Sequence, residues 1–268
     1  MNEAPEGRGE RARRMSGVDF GRAASDYATF RAGFPDRFFD ELEAHGVDIA
    51  GIDAVDLGTG TGTVARGLAL RGAAVVGVDP SAAMAVQARA LDEQVGASVR
   101  YVQATAEATG LPSGRADLVI SGQAWWWFDR PRAAAEARRL LKRGGRLVIC
   151  SLDWLPSPGS IPEATEALIS AANPKWTMGG GDGRHPRWLG ELRAAGFGER
   201  ATFEFDVAVP YTHEAWRGRI RASAGVAATL SEAEVARFGE GLASMLAEHF
   251  PEDPMAVPHR VYAALGRT

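Results

Sequence analysis

Asp56-Leu57-Gly58-Thr59-Gly60-Thr61-Gly62 is the stretch whose reading decides the fold. It follows a short apolar run, Ile52–Leu57, and precedes an amphipathic one, Val64–Arg71. A strand, a glycine turn and a helix are therefore expected in that order. Glycine makes the tight turn and lets backbone approach a ligand closely. Asp79 ends the next apolar run, 23 residues beyond Asp56. A carboxylate at a strand end can accept hydrogen bonds from both ribose hydroxyls. Together they read as a nucleoside site at the carboxyl edge of a parallel sheet.

Outward from this stretch the alternation continues. Strands are expected over 74–78, 99–102, 118–120 and 146–150, with helices over 81–95 and 132–141 and a helix stop at Gly144 and Gly145. Strands alternating with helices imply right-handed βαβ units and an α/β fold. After Ser151 the rhythm breaks into proline- and glycine-rich sequence, read as loop or lid. Later elements are a helix over 188–195, a strand over 202–209, helices over 217–225 and 232–249, and a short strand over 257–265. Residues 1–16 are polar and aperiodic and read as a disordered tail.

Composition narrows the class. In 268 residues the hydrophobic fraction is 46% and the charged fraction 24%, ordinary for a folded chain. No apolar run reaches the roughly 18 residues of a membrane helix. A formal net charge of −4 argues against non-specific nucleic-acid binding. The single cysteine, Cys150, excludes internal disulfides and thiolate zinc clusters, and a cytoplasmic setting is the default. No His, Asp or Glu spacing suggests a metal site.

The dinucleotide fingerprint wants glycine at its first, third and sixth positions. Counted from Gly58, the sixth is Thr63, and the third glycine arrives early at Gly62. This D-x-G-x-G-x-G form, with an acid at Asp56, resembles the first motif of class I S-adenosylmethionine-dependent methyltransferases. Val78-Asp79-Pro80-Ser81 with Met84 resembles the second, where the acid holds ribose and Met84 would face adenine. Gln103-Ala104-Thr105-Ala106-Glu107 before Leu111-Pro112 resembles the third, with Thr105 where many relatives have Asp. Leu140–Leu147 is similar to the family's "L-K-P-G-G-x-L", with Arg143 in place of Pro. The resemblance is to the type 11 and trans-aconitate groups, and is strong over residues 52–150. It implies a Rossmann-like, seven-stranded, mostly parallel sheet with helices on both faces.

The same resemblance implies one domain over 17–268. Its parts are an N-terminal cap over 17–46, a cofactor-binding core over 51–150, a substrate lid with the sixth strand over 151–256, and a last strand over 257–268. The implied cofactor is S-adenosyl-L-methionine. Its expected contacts are Asp56, Gly58, Thr59, Gly60, Gly62, Asp79, Pro80, Ser81, Met84, Thr105, Ala106, Glu107 and Gln123. Tyr27 and Arg31, four apart on one helical face, would close over its methionine end.

Ser121–Asp129 contains three successive tryptophans and resembles the family's "A-x-H-W-F-D" stretch, with Trp126 standing where many relatives have His. Trp126 is expected to wall the acceptor, and Trp127 with Phe128 to pack in the core. With that His missing, His213 is the candidate base and His185 reads as a solvated loop residue. The absence of an obvious base favours O-methylation of an acidic group on a small molecule. Two alternatives stay open. One is a nicotinamide-dependent oxidoreductase, against which stand Thr63 and the presence of only two lysines, Lys142 and Lys175. The other is an S-adenosylmethionine-binding domain that does not methylate.

Overall fold

Seven strands form one twisted sheet in the order β3-β2-β1-β4-β5-β7-β6. The computed structural model describes residue 30 and residues 32–223, 225–226 and 229–268. The strands are β1 Asp53–Leu57, β2 Ala74–Asp79, β3 Val99–Gln103, β4 Ala116–Gly122, β5 Leu141–Trp154, β6 Gly198–Tyr211 and β7 Met255–Arg267. β1 pairs in parallel with β2 and β4, β2 with β3, and β4 with β5. β7 runs antiparallel between β5 and β6, which makes it the one reversed strand.

Among the described residues there are eight α-helices. They are α1 Asp36–Ala44, α2 Thr63–Ala69, α3 Ala82–Val95, α4 Arg130–Leu140, α5 Ile161–Ala172, α6 Arg187–Ala194, α7 His213–Arg221 and α8 Glu232–His249. Phe38, Phe39 and Leu42 of α1 and Val64, Ala65 and Leu68 of α2 pack on one face of the sheet. Ala133, Ala137 and Leu140 of α4 and Trp188 and Leu192 of α6 cover the other. A third cluster gathers α5, α7 and α8 around Tyr211, Met255 and Val257, at one end of β6 and β7.

Strand burial explains what the sequence pattern shows. β6 is an edge strand and alternates, burying Phe203 and Phe205 while neighbouring positions stay wet. β7 is interior and is buried without a break from Val261 to Gly266, as a strand covered on both faces must be.

Three expectations change. Gly144 and Gly145 do not end α4, which stops at Leu140; they lie inside β5, where Gly144 has φ +80° and the register with β4 slips. β5 runs on to Trp154 and β7 begins at Met255, so strand residues occupy both ends of the stretch 151–256. The stretch read as proline-rich loop contains α5. Ser160 caps it by accepting from the Glu163 N–H at 3.2 Å, and Pro162 sits in its first turn, where a missing N–H costs nothing.

Candidate active site

The glycine loop is held from below. Gly58 and Thr59 donate their N–H groups to Val78 O at 2.8 and 3.0 Å. Gly58, Gly60 and Gly62 all have positive φ. At Gly58 a Cβ would lie 2.6 Å from the Ala124 methyl and 2.8 Å from the Phe128 ring. Glycine is thus demanded there by the protein's own packing, which presses the loop against the exit of β4. Arg66 holds the far side of the loop. It donates to Thr61 O and to Asp92 at 2.7 Å each, and Tyr101 bonds the other Asp92 oxygen at 2.7 Å.

The two acids at this edge differ in environment. Asp56 is 2% exposed and lies beneath the loop, where it accepts from the Thr59 hydroxyl at 2.7 Å. Burial pushes its carboxyl up to about 7, against the Thr59 bond. Asp56 therefore shapes the loop from behind. Asp79 is only partly buried. Its two oxygens accept the Gly60 and Ser81 N–H groups, each at 2.9 Å. Burial raises its carboxyl as well, and those two bonds oppose the rise. Each oxygen retains a lone pair for a further donor. A carboxylate pinned on two backbone amides at the edge of the loop fits a ribose diol.

The remaining predicted residues surround this centre. Ser81 caps α3, accepting from Met84 N at 3.3 Å, and Met84 is buried. Pro80 O accepts from Gln103 Nε2 at 3.1 Å. Ala106 is buried and Thr105 is exposed at the turn after β3. Glu107 accepts from Asp129 N at 2.8 Å, which ties that turn to the tryptophan segment. Gln123 ends the β4 crossing with φ +56°, unusual for a residue other than glycine. Its N–H donates to Cys150 O at 2.8 Å and its side-chain amide to Leu152 O. Tyr27 and Arg31 lie outside the described residues.

Phe128 packs in the core as expected, with Trp127 against it, but the fully buried tryptophan is Trp125. Trp125 is the core residue, 1% exposed, packed edge-on to Phe128 and bonded through Nε1 to Glu191 at 2.7 Å. Trp127 is half-buried. Trp126 is half-buried too, and its ring lies nearly parallel to Trp188 at 6.4 Å.

The histidines also exchange places. His213 begins α7 and shares a 2.9 Å bond between Nε2 and Phe250 O, so its ring holds the segment after α8. His185 lies 5.8 Å from the Trp126 ring, stacks on Trp188 at 4.2 Å and bonds Asp153 at 2.8 Å through Nε2. It is not a free loop residue. Asp153, Trp188 and Tyr262 complete this group and were not anticipated. The available signal was Asp153, a carboxylate shortly after the strand expected over 146–150 and in fact near the end of β5.

An open α/β sheet with a glycine loop and a strand-end carboxylate defines a nucleoside-cofactor domain. Residues 55–149 match the family described as "Methyltransferase domain". An uncharacterized methyltransferase of Mycobacterium tuberculosis is 37% identical over 156 residues, 56% of this chain and 61% of that one. A malonyl-[acyl-carrier protein] O-methyltransferase of Geobacter sulfurreducens is 39% identical over 134 residues, 47% of this chain and 48% of that one. The chain thus spans about half to three-fifths of the curated relatives it matches, 48% to 61%. A structure provisionally assigned as a type II methyltransferase of Anaeromyxobacter dehalogenans shares the fold, with TM-score 0.60 and 24% identity over 89% of this chain and 98% of that one. Residues 55–149 are therefore similar to a methyltransferase domain, set in a fold shared with methyltransferases.

Proposed function

We propose that this protein transfers a methyl group from S-adenosylmethionine to an oxygen of a small molecule. The carrying observation is Asp79, fixed by Gly60 and Ser81 N–H bonds of 2.9 Å at the edge of the glycine loop. When bound, the cofactor supplies an electrophilic methyl on a sulfonium. The protein's residues bind and orient it. Asp79 takes the ribose, with Pro80, Ser81 and Met84 beside it. Thr105 and Ala106 flank the adenine, and Gln123 presents the β4 exit toward the methyl. Trp126 walls the acceptor side, where an aromatic face attracts a sulfonium by roughly 0.5–2 kcal/mol.

Holding donor and acceptor in attack geometry can supply on the order of 7–11 kcal/mol of the barrier. Similarity to an O-methyltransferase of Geobacter sulfurreducens supports oxygen as the nucleophile. The early third glycine, with threonine at 63, disfavours the nicotinamide reading.

Two measurements test this. Calorimetry should detect S-adenosylmethionine binding that Asp79→Ala weakens by about 2–4 kcal/mol, the usual loss of charged hydrogen bonds. Incubation with a metabolite extract should release S-adenosylhomocysteine and a product heavier by one methylene. Unchanged affinity in a folded Asp79→Ala variant would overturn the binding assignment.

A further inference from the structure

Alternation along β4 and β5 places one row of polar side chains on a single face of the sheet. Val119, Leu147 and Ile149 belong to the cluster under α4 and α6, whereas Ile120, Val148, Cys150 and Leu152 face the opposite cluster. Successive strand residues point to opposite faces. Ser121, Ser151 and Asp153 therefore share the α4/α6 side. Ser121 Oγ, Ser151 Oγ and Trp126 Nε1 are buried, and each lacks a hydrogen-bond partner. Buried polar atoms are nearly always satisfied by protein, water or a ligand. These three orphans are polar groups left for water or a ligand to satisfy.

Asp153, two residues beyond Ser151 on β5, brings the His185–Asp153 pair to the same side of the sheet. Asp153 follows Leu152, whose carbonyl takes the Gln123 amide, so the pair is fastened to the β4 exit. Asp153 Oδ2 lies 2.8 Å from Nε2. A carboxylate only accepts, so in the neutral imidazole Nε2 carries the proton and Nδ1 keeps its lone pair. No described residue bonds Nδ1. Trp188 stacks on the imidazole at 4.2 Å with planes 13° apart, and Tyr262 meets it edge-on at 5.9 Å. The ring is fixed by three neighbours.

We propose, resting on the methyltransferase reading, that His185 is the proton acceptor for a phenolic or enolic hydroxyl whose planar framework lies against Trp126. As the acceptor oxygen attacks, its O–H proton passes to His185 Nδ1. The new C–O bond forms with the oxygen's electron pair, and the C–S bond breaks with its pair left on sulfur, giving the neutral thioether. The imidazolium then returns its proton to water. Asp153 is a positioning residue that holds the tautomer and receives the imidazolium's charge.

The other charges nearby are committed elsewhere. Arg260 bonds Asp206 and Asp182 O, Arg184 bonds Glu204 and Asp182, and Glu191 bonds Trp125 and Arg130. Asp153 is the carboxylate that bonds this ring.

The test uses the full chain saturated with S-adenosylhomocysteine, with 4-nitrophenol as probe, whose ionisation is visible in its absorbance. Wild type should bind it partly as the phenolate at a pH where free probe is un-ionised. His185→Gln should keep the melting temperature and the S-adenosylhomocysteine affinity and lose the phenolate signal by about tenfold or more. Asp153→Asn should reduce it by a smaller factor. His213→Gln should leave it unchanged. A phenolate signal equal in wild type and His185→Gln overturns the proposal, and so does no binding of the probe. Absence of S-adenosylhomocysteine binding in wild type would instead overturn the methyltransferase reading itself.

Discussion

Burial pushes the Asp56 carboxyl up to about 7, against its bonds to the Thr59 hydroxyl and the Ala65 backbone, and that gives the fold a dependence on pH. Its carboxyl moves from 3.8 to about 7 on folding. The neutral form is the one burial favours, so the folded state holds a proton that the unfolded chain gives up at lower pH. Stability is full below about pH 4 and declines as pH rises toward 7. At about 1.4 kcal/mol per pH unit the decline is on the order of 4 kcal/mol. Urea unfolding of wild type and Asp56→Asn over pH 4–8 reads this directly. The difference between the two curves should grow with pH and level off above 7, and parallel curves would refute it. Trp125 and Trp126 make a second contrast. Trp125→Ala empties a fully buried site and should cost about 3–5 kcal/mol. Trp126→Ala removes a half-buried ring without a hydrogen bond and should cost about 1–2 kcal/mol. Thermal melts separate the two, and equal losses would return Trp126 to the core.

At the scale of elements, the contact between the glycine loop and the tryptophan segment is the joint on which both halves of the site depend. Gly58→Ala should destabilise by about 2–4 kcal/mol, from the positive φ and the crowding of Ala124 together. Ala124→Gly in the same chain should recover the crowding part and leave the φ part. Denaturant midpoints of the single and double variants check this, and no recovery would mean Phe128 alone sets the limit. This joint also explains what could be read beforehand. The strand, loop and helix around Asp56 declare themselves because their periods change sharply and their turn is made of glycine. Pro162 misleads because proline marks a break in most contexts and a helix start in this one. The His185–Asp153 pair was hidden for another reason. Its members are 32 residues apart, and only the pairing of β5 with β7 and the docking of α6 bring them together. Local pattern carries no information about such a meeting.

For the whole molecule, the sheet's carboxyl edge joins every part that the proposed ligand touches: the β1 loop, the β2 acid, the β4 exit and the loop before α6. A ligand seated there stabilises the fold in proportion to its occupancy. At about one hundred times its dissociation constant, a ligand adds about 2.7 kcal/mol. For a chain of 268 residues each kcal/mol is worth about 2–4 °C. S-adenosylmethionine and S-adenosylhomocysteine should therefore each raise the melting temperature by about 5–10 °C, whereas NAD should not. Asp79→Ala should shrink that rise at fixed ligand concentration, because its weaker affinity lowers the occupancy. His185→Gln should preserve the rise, because the imidazole belongs to the acceptor side. The discriminating outcome is a full rise in Asp79→Ala. That would place the ribose away from β2 and leave the glycine loop as a packing joint alone.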